Sequence, residues 1–458
     1  MGRSHWIIFF KAEVSDRSAL KVSAQERVEL ESSNSSNYLG YVVVAIIVAV
    51  IAVAVTYYVA PGKGAENVTQ NDVRDYLDTA SEQDIKDAIS GVSPDLLKES
   101  AKMKAGFIYV GPIGDYGWSH AHEQGRLHVE EMFPWLETVY VESVDKADCY
   151  AAIDRLFTDE NCDVVFTTSF DFMEATVQYA DDHPDRLLMH CSGYLRRENL
   201  GTYFADFYQL YYLNGLMAGA LTDTDKLAYV GAFPIAEVKR HINAFALGAQ
   251  EVNPDAKVYV RWIQDWYSPD KATEAANALL GEGCDVFAFT EDSPTIVQIA
   301  EESTDAGNPV YVFSHYSPMQ EYGPDSCVSG QLVHWDRMYE QILMRLYTGT
   351  WNARDYNWLL AEGGVELGAE FGTPINPKFE SALKSVTVQD DVLGEISVYD
   401  LVMERIDQME DVNVGFDPFV GPIYDQDETL VVREGERASI DTLWNLDWLV
   451  RNVEGSTG

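Results

Sequence analysis

The side chains best placed to bind a ligand are aromatic rings and carboxylates that come directly after short apolar segments. They are Asp115, Tyr116 and Trp118 after residues 106–110, Ser169, Phe170 and Phe172 after 163–167, Phe233 after 226–230, Trp262, Trp266 and Tyr267 at the end of 257–262 or after it, Asp292 after 285–289, and His315 and Tyr316 after 309–313. Aromatic faces stack on flat rings, and carboxylates accept hydrogen bonds from N–H groups. This combination predicts a cleft for a flat ligand with a polar edge.

The histidines and cysteines give little support to catalytic or metal chemistry. His120 and His122 lie near Asp115, which raises the alternative of a hydrolase acting on nucleosides, but two positions apart on a helix they point to different faces. The sequence has no G-x-S-x-G, H-E-x-x-H or P-loop motif. The five cysteines form no C-x-x-C pair, and Cys162 and Cys284 are predicted to be buried thiols. We expect no enzymatic activity, metal or cofactor.

Short apolar segments alternate with amphipathic segments from Lys104 onward, which predicts an α/β fold of doubly wound parallel sheets. The pattern divides into two lobes with a break near residues 214–225. Ligands of open parallel sheets lie beyond the carboxyl ends of the strands, so the aromatic residues above are expected to face one cleft.

An uncharged segment at residues 41–60 has the length of a transmembrane helix, and it is too long for the apolar part of a signal peptide. Arg3, Lys11, Arg17, Lys21 and Arg27 precede this segment, whereas Lys63 alone follows it closely. The excess of basic residues before the helix predicts a cytoplasmic N-terminus and a binding domain outside the cell, held at the plasma membrane by a single pass.

Several motifs in a fixed order resemble the BMP family of basic membrane lipoproteins, also called PnrA-like purine receptors. They are Gly111-Pro-Ile-Gly-Asp115-Tyr-Gly-Trp118 with its continuation to Gly125, Thr168-Ser-Phe170, Gly231-Ala-Phe-Pro-Ile-Ala-Glu-Val238, Asn243-Ala-Phe-Ala-Leu-Gly248, Asn253-Pro254 and Phe419-Val-Gly-Pro-Ile-Tyr-Asp425. The similarity runs from about Lys104 to Val453.

The resemblance implies a type I periplasmic-binding-protein fold with a hinge, an ABC importer with permease and ATPase subunits as the partner, and a purine base or nucleoside as the ligand. Asp115, Trp118 and Ser119 match an Asp, an aromatic residue and a position that is usually Asn, Glu174 matches an acidic ligand position, and Phe233 matches an aromatic residue facing the ring. The segment 314–318 lacks the carboxylates that hold ribose in nucleoside binders, which favours a free base. The family's lipid anchor is absent, and residues 41–60 replace it.

The interpretation includes a complete division of the chain and a set of ligand residues. The predicted parts are a cytoplasmic tail at 1–40, a transmembrane helix at 41–60, a stalk at 61–103, lobe I at 104–218 completed by about 315–340, lobe II at 219–314 completed by about 341–385, and a C-terminal extension at 386–458 that packs on the lobes. The predicted ligand residues are Asp115, Trp118, Ser119, Ser169, Phe170, Glu174, Phe233, Trp266, Asp292 and His315. A membrane-tethered ligand sensor is the alternative function.

The chain carries 74 acidic and 32 basic residues, a formal charge of -42. This charge repels phosphate backbones, so nucleic acid is not expected as a partner. Acidic residues spread along the whole chain indicate a protein of a halophilic archaeon, whereas an acidic mesophilic protein is the alternative.

The halophile interpretation predicts that the purified protein needs salt. Lowering the salt from molar concentration to about 0.1 M lengthens the Debye length from about 3 Å to about 10 Å, which strengthens the repulsion among the acidic groups. We expect the thermal unfolding midpoint, followed by circular dichroism, to fall steadily across this range. An unchanged midpoint would contradict the interpretation.

Overall fold

The structure, a computed structural model, describes residues 11–16, 19–23, 102–411 and 413–458. The strands are β1 Lys11–Asp16, β2 Ala19–Ser23, β3 Met103–Ile108, β4 Leu136–Val141, β5 Val164–Thr167, β6 Leu187–Cys191, β7 Leu200–Ala205, β8 Lys226–Gly231, β9 Lys257–Trp262, β10 Val286–Thr290, β11 Tyr311–Tyr316, β12 Cys327–Val333, β13 Asp355–Trp358, β14 Val365–Leu367, β15 Thr387–Asp390, β16 Gly394–Ser397, β17 Ile423–Tyr424, β18 Leu430–Val432 and β19 Val453–Glu454. The helices are α1 Trp118–Met132, α2 Cys149–Thr158, α3 Met173–Asp182, α4 Tyr208–Leu221, α5 Ala236–Val252, α6 Pro269–Gly281, α7 Thr295–Asp305, α8 Trp335–Tyr347, α9 Pro377–Ser385, α10 Val398–Glu410 and α11 Ile440–Trp444.

Two sheets form two lobes, as the alternating pattern predicted. The sheet of lobe I has the order β13-β7-β6-β5-β3-β4, and all of its neighbouring strands are parallel. The sheet of lobe II has the order β14-β12-β11-β10-β8-β9-β19, in which only the pair of β12 and β14 is antiparallel. The central strands of both sheets are buried apolar segments, because helices cover both faces of a doubly wound sheet.

The chain passes between the lobes after Ala205, after Val333 and after Trp358, and these three connections form the hinge. The observed division differs from the predicted one. The strands β11 and β12 lie in lobe II, although residues 315–340 were assigned to lobe I. Helix α8 packs on α1, and β13 joins the sheet of lobe I, although 341–385 was assigned to lobe II.

The predicted break at 214–225 is also displaced. Helix α4 packs closely on α5 of lobe II, so lobe II begins at about Asp206 instead of residue 219. The glycines of this pair bring the two backbones together, since a Cβ on Gly215 would lie 2.2 Å from the Phe245 carbonyl oxygen and one on Gly248 would lie 2.1 Å from that of Tyr212. The turn at 222–225 is therefore an ordinary connection inside lobe II.

The C-terminal residues extend lobe II. The β15–β16 hairpin and α10 pack beside α9 and α4, and β19 adds a parallel strand to the edge at β9. Cys162 and Cys284 are buried free thiols, as predicted. The predicted transmembrane helix at 41–60 lies outside the described residues. Within those residues, no helix has the length and apolar character needed to cross a membrane.

Candidate functional site

The first turn of α1 is built by its own loop at the carboxyl end of β3. The buried carboxylate of Asp115 accepts hydrogen bonds from the backbone N–H groups of Gly117 at 2.9 Å, Ser119 at 3.1 Å and His120 at 2.9 Å. The hydroxyl of Ser119 accepts one from the backbone N–H of Gly111 at 3.0 Å. Burial raises the pKa of Asp115, and these hydrogen bonds act in the opposite direction. Asp115 and Ser119 therefore position the helix.

Lobe II meets lobe I at the same helix start. Asp292, which follows β10, touches Gly117 so closely that a Cβ on this glycine would lie 2.5 Å from the Asp292 Cα. The hydroxyl of Ser317 donates to the Gly117 carbonyl oxygen at 3.3 Å. Burial, then the nearby Asp115 and Glu291, raise the pKa of Asp292 well above its ordinary value, and the nearby backbone N–H of Trp118 acts in the opposite direction. One oxygen of Asp292 has no hydrogen-bond partner.

A small cavity lies between the lobes beside this contact. Its lining consists of Val110, Trp118, Ser169, Phe170, Ser192, Glu237, Trp266, Asp292 and Tyr316. The indole N–H of Trp118 donates to the Thr168 carbonyl oxygen, which fixes the ring, and the ring of Tyr316 lies edge-on to it with centroids 5.1 Å apart. The cavity measures about 20 Å³, roughly the space of one water molecule. A larger ligand needs the lobes to separate or these rings to move.

Two side-chain hydrogen bonds join the lobes across the cavity. The indole N–H of Trp266 donates to Asp171 at 3.0 Å, and the hydroxyl of Ser192 donates to Glu237. Burial raises the pKa of Glu237 to about 7, and the hydrogen bond from Ser192 and the charge of Arg240 act in the opposite direction. The lobes are thus held together by hydrogen bonds to two partly buried carboxylates.

The backbone at the cleft is strained where two cavity residues leave their strands. Ser192 has φ of 63° and Tyr316 has φ of 64°, both in the left-handed region that side chains larger than glycine seldom adopt. Such strain is concentrated at binding and active sites, because the surrounding packing must hold it in place. It aims both side chains into the cavity.

The structure brings half of the predicted ligand residues together. Trp118, Ser169, Phe170, Trp266 and Asp292 line the cavity. Phe233 contacts the ring of Trp266 at 5.0 Å and so reaches the cavity only through it. Asp115 and Ser119 form the start of α1 behind the cavity wall.

Two predicted ligand residues lie away from the cavity. His315 is buried behind Tyr316, where its Nδ1 lies 3.0 Å from the hydroxyl of Tyr211. Glu174 is 79% exposed and pairs with Lys146 at 3.2 Å, whereas its neighbour Met173 is the residue of the first turn of α3 that points into the core. Neither side chain lines the cavity.

Four cavity residues were absent from the predicted set, namely Val110, Ser192, Glu237 and Tyr316. Tyr316 was recognised as an aromatic residue at a strand end, but the neighbouring His315 was preferred. Ser192 directly follows β6, and its position alone was a usable signal. Glu237 lies within a motif of the recognised family, yet nothing in the sequence marks it as the carboxylate that faces the cleft.

In the part of the chain from 102 to 458 that the structure describes, one cluster of three acidic residues has oxygens close enough together to bind a metal ion. The oxygens of Glu301, Asp305 and Asp325 lie within 4.8 Å of one another. Asp325 pairs with Lys378 at 2.5 Å, and both Asp305 and Asp325 are exposed. The charge of this cluster is already partly balanced, and it lies away from the cleft.

The family model for "ABC transporter substrate-binding protein PnrA-like" matches residues 102–401. The chain belongs to this family. Its members are solute-binding components of ABC transporters, which hold a small molecule and catalyse no reaction, so the resemblance and the expectation that this chain is not an enzyme are confirmed.

Relatives and a solved structure agree with this assignment. A purine-binding protein of Brucella abortus is 33% identical over 355 residues, 77% of this chain and 93% of its own. A Haloferax volcanii protein described as an ABC transporter glucose-binding protein is 38% identical over 291 residues, 64% of this chain and 73% of its own. A solute-binding protein of Aeropyrum pernix K1 has a TM-score of 0.57 at 16% identity, covering 67% of this chain and 91% of its own, which shows the shared fold.

Asp115 is predicted to act on stability more than on ligand contact. The substitution Asp115→Ala removes the partner of three backbone N–H groups, so we expect the free energy of unfolding to fall by about 1–2 kcal/mol. Chemical denaturation measures this change. Asp145→Ala is the matched control, since the exposed Asp145 makes no side-chain cap at the 3₁₀ turn that follows it. Equal stability of both variants would show that Asp115 does not hold α1.

Proposed function

We propose that this ABC transporter substrate-binding protein binds a purine base or purine nucleoside between its lobes and delivers it to the permease. The observation that carries the proposal is the lining of the cleft. Four aromatic side chains surround the cavity, and Glu237 and Asp292 supply carboxyl groups to it. No Lys, Arg or His belongs to this lining within the described residues.

A flat nitrogen heterocycle matches this lining chemically. The rings of Trp118, Phe170, Trp266 and Tyr316 offer faces and edges to an aromatic ligand, at about 0.5–1.5 kcal/mol for each well-placed ring pair. The unpartnered oxygen of Asp292 is a buried acceptor that needs a donor, and purines present N–H groups at their edge. A ligand that offers both features satisfies the site.

A free base is favoured over a nucleoside by the segment after β11. His315 faces Tyr211 and Gln331, and the hydroxyl of Ser317 donates to Gly117, so neither side chain is directed to a sugar. The segment 314–318 contains no carboxylate. Ribose hydroxyls would therefore have few partners here, and buried hydroxyls without partners weaken binding.

Glucose is the second candidate, because one relative is described as glucose-binding. A pyranose can also lie on an aromatic ring and bond to carboxylates. It carries hydroxyls around its whole rim, however, and among the described residues the carboxyl and hydroxyl groups of the lining come from Ser169, Ser192, Glu237, Asp292 and Tyr316. The four aromatic rings suit a flat ligand better than a pyranose. Binding of glucose and of purines should be measured in the same calorimetric experiment.

The purine proposal predicts a measurable loss when an aromatic wall is removed. We expect Trp118→Ala to weaken adenine or guanine binding at least about tenfold, from the lost ring contact and lost apolar area. Isothermal titration calorimetry of ligand-free protein in molar salt measures the affinity, with adenosine, guanosine and glucose as further ligands. Trp448→Ala is the control, because Trp448 is half-buried on lobe II and does not line the cavity.

The affinities for bases, nucleosides and glucose distinguish the proposed ligands from one another. Bases should bind at least as tightly as nucleosides, and a strong nucleoside preference would show that the segment after β11 has been misinterpreted. Heat from glucose alone would favour the second candidate. A similar loss of affinity in Trp118→Ala and Trp448→Ala would place the ligand elsewhere.

We further propose that residues 41–60 tether the binding domain to the outer face of the plasma membrane, with residues 1–40 inside the cell. The support is the uncharged sequence and the basic residues before it. Protease added to intact cells should remove the binding domain, whereas lysis without detergent should leave it in the membrane fraction. Release into the soluble fraction would overturn the tether and leave the binding proposal intact.

A further inference from the structure

We propose that Glu237 selects between purine bases by its protonation state, so that the neutral carboxylic acid favours adenine and the carboxylate favours guanine. The inference rests on the proposed function, since it assigns a specificity-determining role within the purine site.

Glu237 is placed by the fold to act on the ligand. It lies in the first turn of α5 on lobe II, lines the cavity and receives the hydroxyl of Ser192 from lobe I on its Oε2 atom. The left-handed backbone of Ser192 holds this hydroxyl over the cleft. One carboxyl oxygen of this lobe II residue thus bonds to lobe I, and the side chain lines the cavity.

The remaining polar lining makes Glu237 the adaptable group. Ser169 already accepts a hydrogen bond from the backbone N–H of Asp171 at 3.3 Å, and the unpartnered oxygen of Asp292 is assigned to another N–H group of the ligand. The lining contains no Asn or Gln, whose amide would offer a donor and an acceptor together, within the described residues. A carboxylic acid supplies that pair only when it is protonated.

The two protonation states match two different base edges. A carboxylate has two acceptor oxygens, and guanine presents its ring N1–H and its exocyclic amino group side by side as two parallel donors. A neutral carboxylic acid has one O–H donor and one carbonyl acceptor, and adenine presents a ring nitrogen acceptor beside its amino donor. Gain or loss of one proton by Glu237 therefore changes which base edge this residue recognises.

The surroundings leave Glu237 able to adopt either state. The titratable groups that face it are Arg240 on the same helix, Asp206 after β7, Cys191 at the end of β6, Tyr211 on α4, Tyr229 on β8, Asp292 after β10 and Tyr316 at the end of β11. Arg240, the nearest cation among them, is already paired with Asp206 at 2.9 Å. Because burial dominates, the pKa of Glu237 lies at about 7, which puts the exchange near neutral pH.

The sign of the effect follows from the proton count. The adenine complex holds one more proton on Glu237 than the guanine complex, so raising the pH favours guanine whatever the state of the ligand-free cleft. Between about pH 6 and about pH 8 we expect the ratio of adenine affinity to guanine affinity to fall at least about tenfold. Competition between the bases, followed by tryptophan fluorescence of the full protein in molar salt, measures this ratio.

Glu237→Gln fixes the donor and acceptor pair of the neutral acid. We expect this variant to keep the low-pH preference for adenine at both pH values, with a ratio that changes less than about twofold. The matched control is Glu174→Gln, which removes the same charge from an exposed glutamate outside the cavity and should behave as the wild type.

The outcomes separate the inference from the proposed function. A ratio that does not change with pH in the wild type, while both bases bind, overturns the inference and leaves purine binding intact. A change that persists in Glu237→Gln assigns the effect to another acid and also overturns it. Absence of binding by either base to the wild type removes the proposed function itself. If thermal unfolding shows that Glu237→Gln does not fold, the pH dependence of the wild-type ratio of adenine to guanine affinity decides the inference by itself.

Discussion

The structure depends on the convergence of two carboxylates at the first turn of α1. Asp115 from lobe I binds three backbone N–H groups of that turn, and Asp292 from lobe II packs directly against Gly117 at its start. A helix N-terminus stabilises negative charge, so it lets two buried acids approach each other without a side-chain cation. Gly117 is required there because any Cβ would collide with Asp292. The contact orients Trp118 and thereby one wall of the cleft.

The same contact makes the closed cleft an acidic one. Glu291 and Asp292 each have a buried oxygen without a partner, and burial raises the pKa of both well above ordinary values. Closing the lobes on ionised groups of this kind is costly, since desolvation disfavours the charged form. Closure is therefore easier when protons or the N–H groups of a ligand satisfy these oxygens. The donors that do cross between the lobes bond to other carboxylates, since the hydroxyl of Ser192 donates to Glu237 and the indole N–H of Trp266 donates to Asp171.

The sequence allowed the fold to be predicted but only part of the site. Alternating apolar segments identified the two sheets, whereas the hinge was misplaced because β7 runs into α4 through Asp206 without a glycine or proline to mark the crossing. Glu174 and Glu237 illustrate the limit for side chains. Both lie in the first turn of a helix after a strand, but Glu174 points to solvent beside the buried Met173, while Glu237 lines the cleft. Such rotations are set by packing and not by spacing along the chain.

If the ligand is a purine, as proposed, charge also restricts which purine derivatives this cleft accepts. A phosphorylated nucleoside would bring its negative charge close to Glu237 and Asp292, in a cavity whose described lining contains no basic side chain. Burying a phosphate without a cation is costly, because the charge loses its hydration and gains no partner. Uncharged bases and nucleosides avoid this cost. Under the proposed purine function, exclusion of nucleotides would follow from this acidic lining, without a separate device for rejecting phosphate.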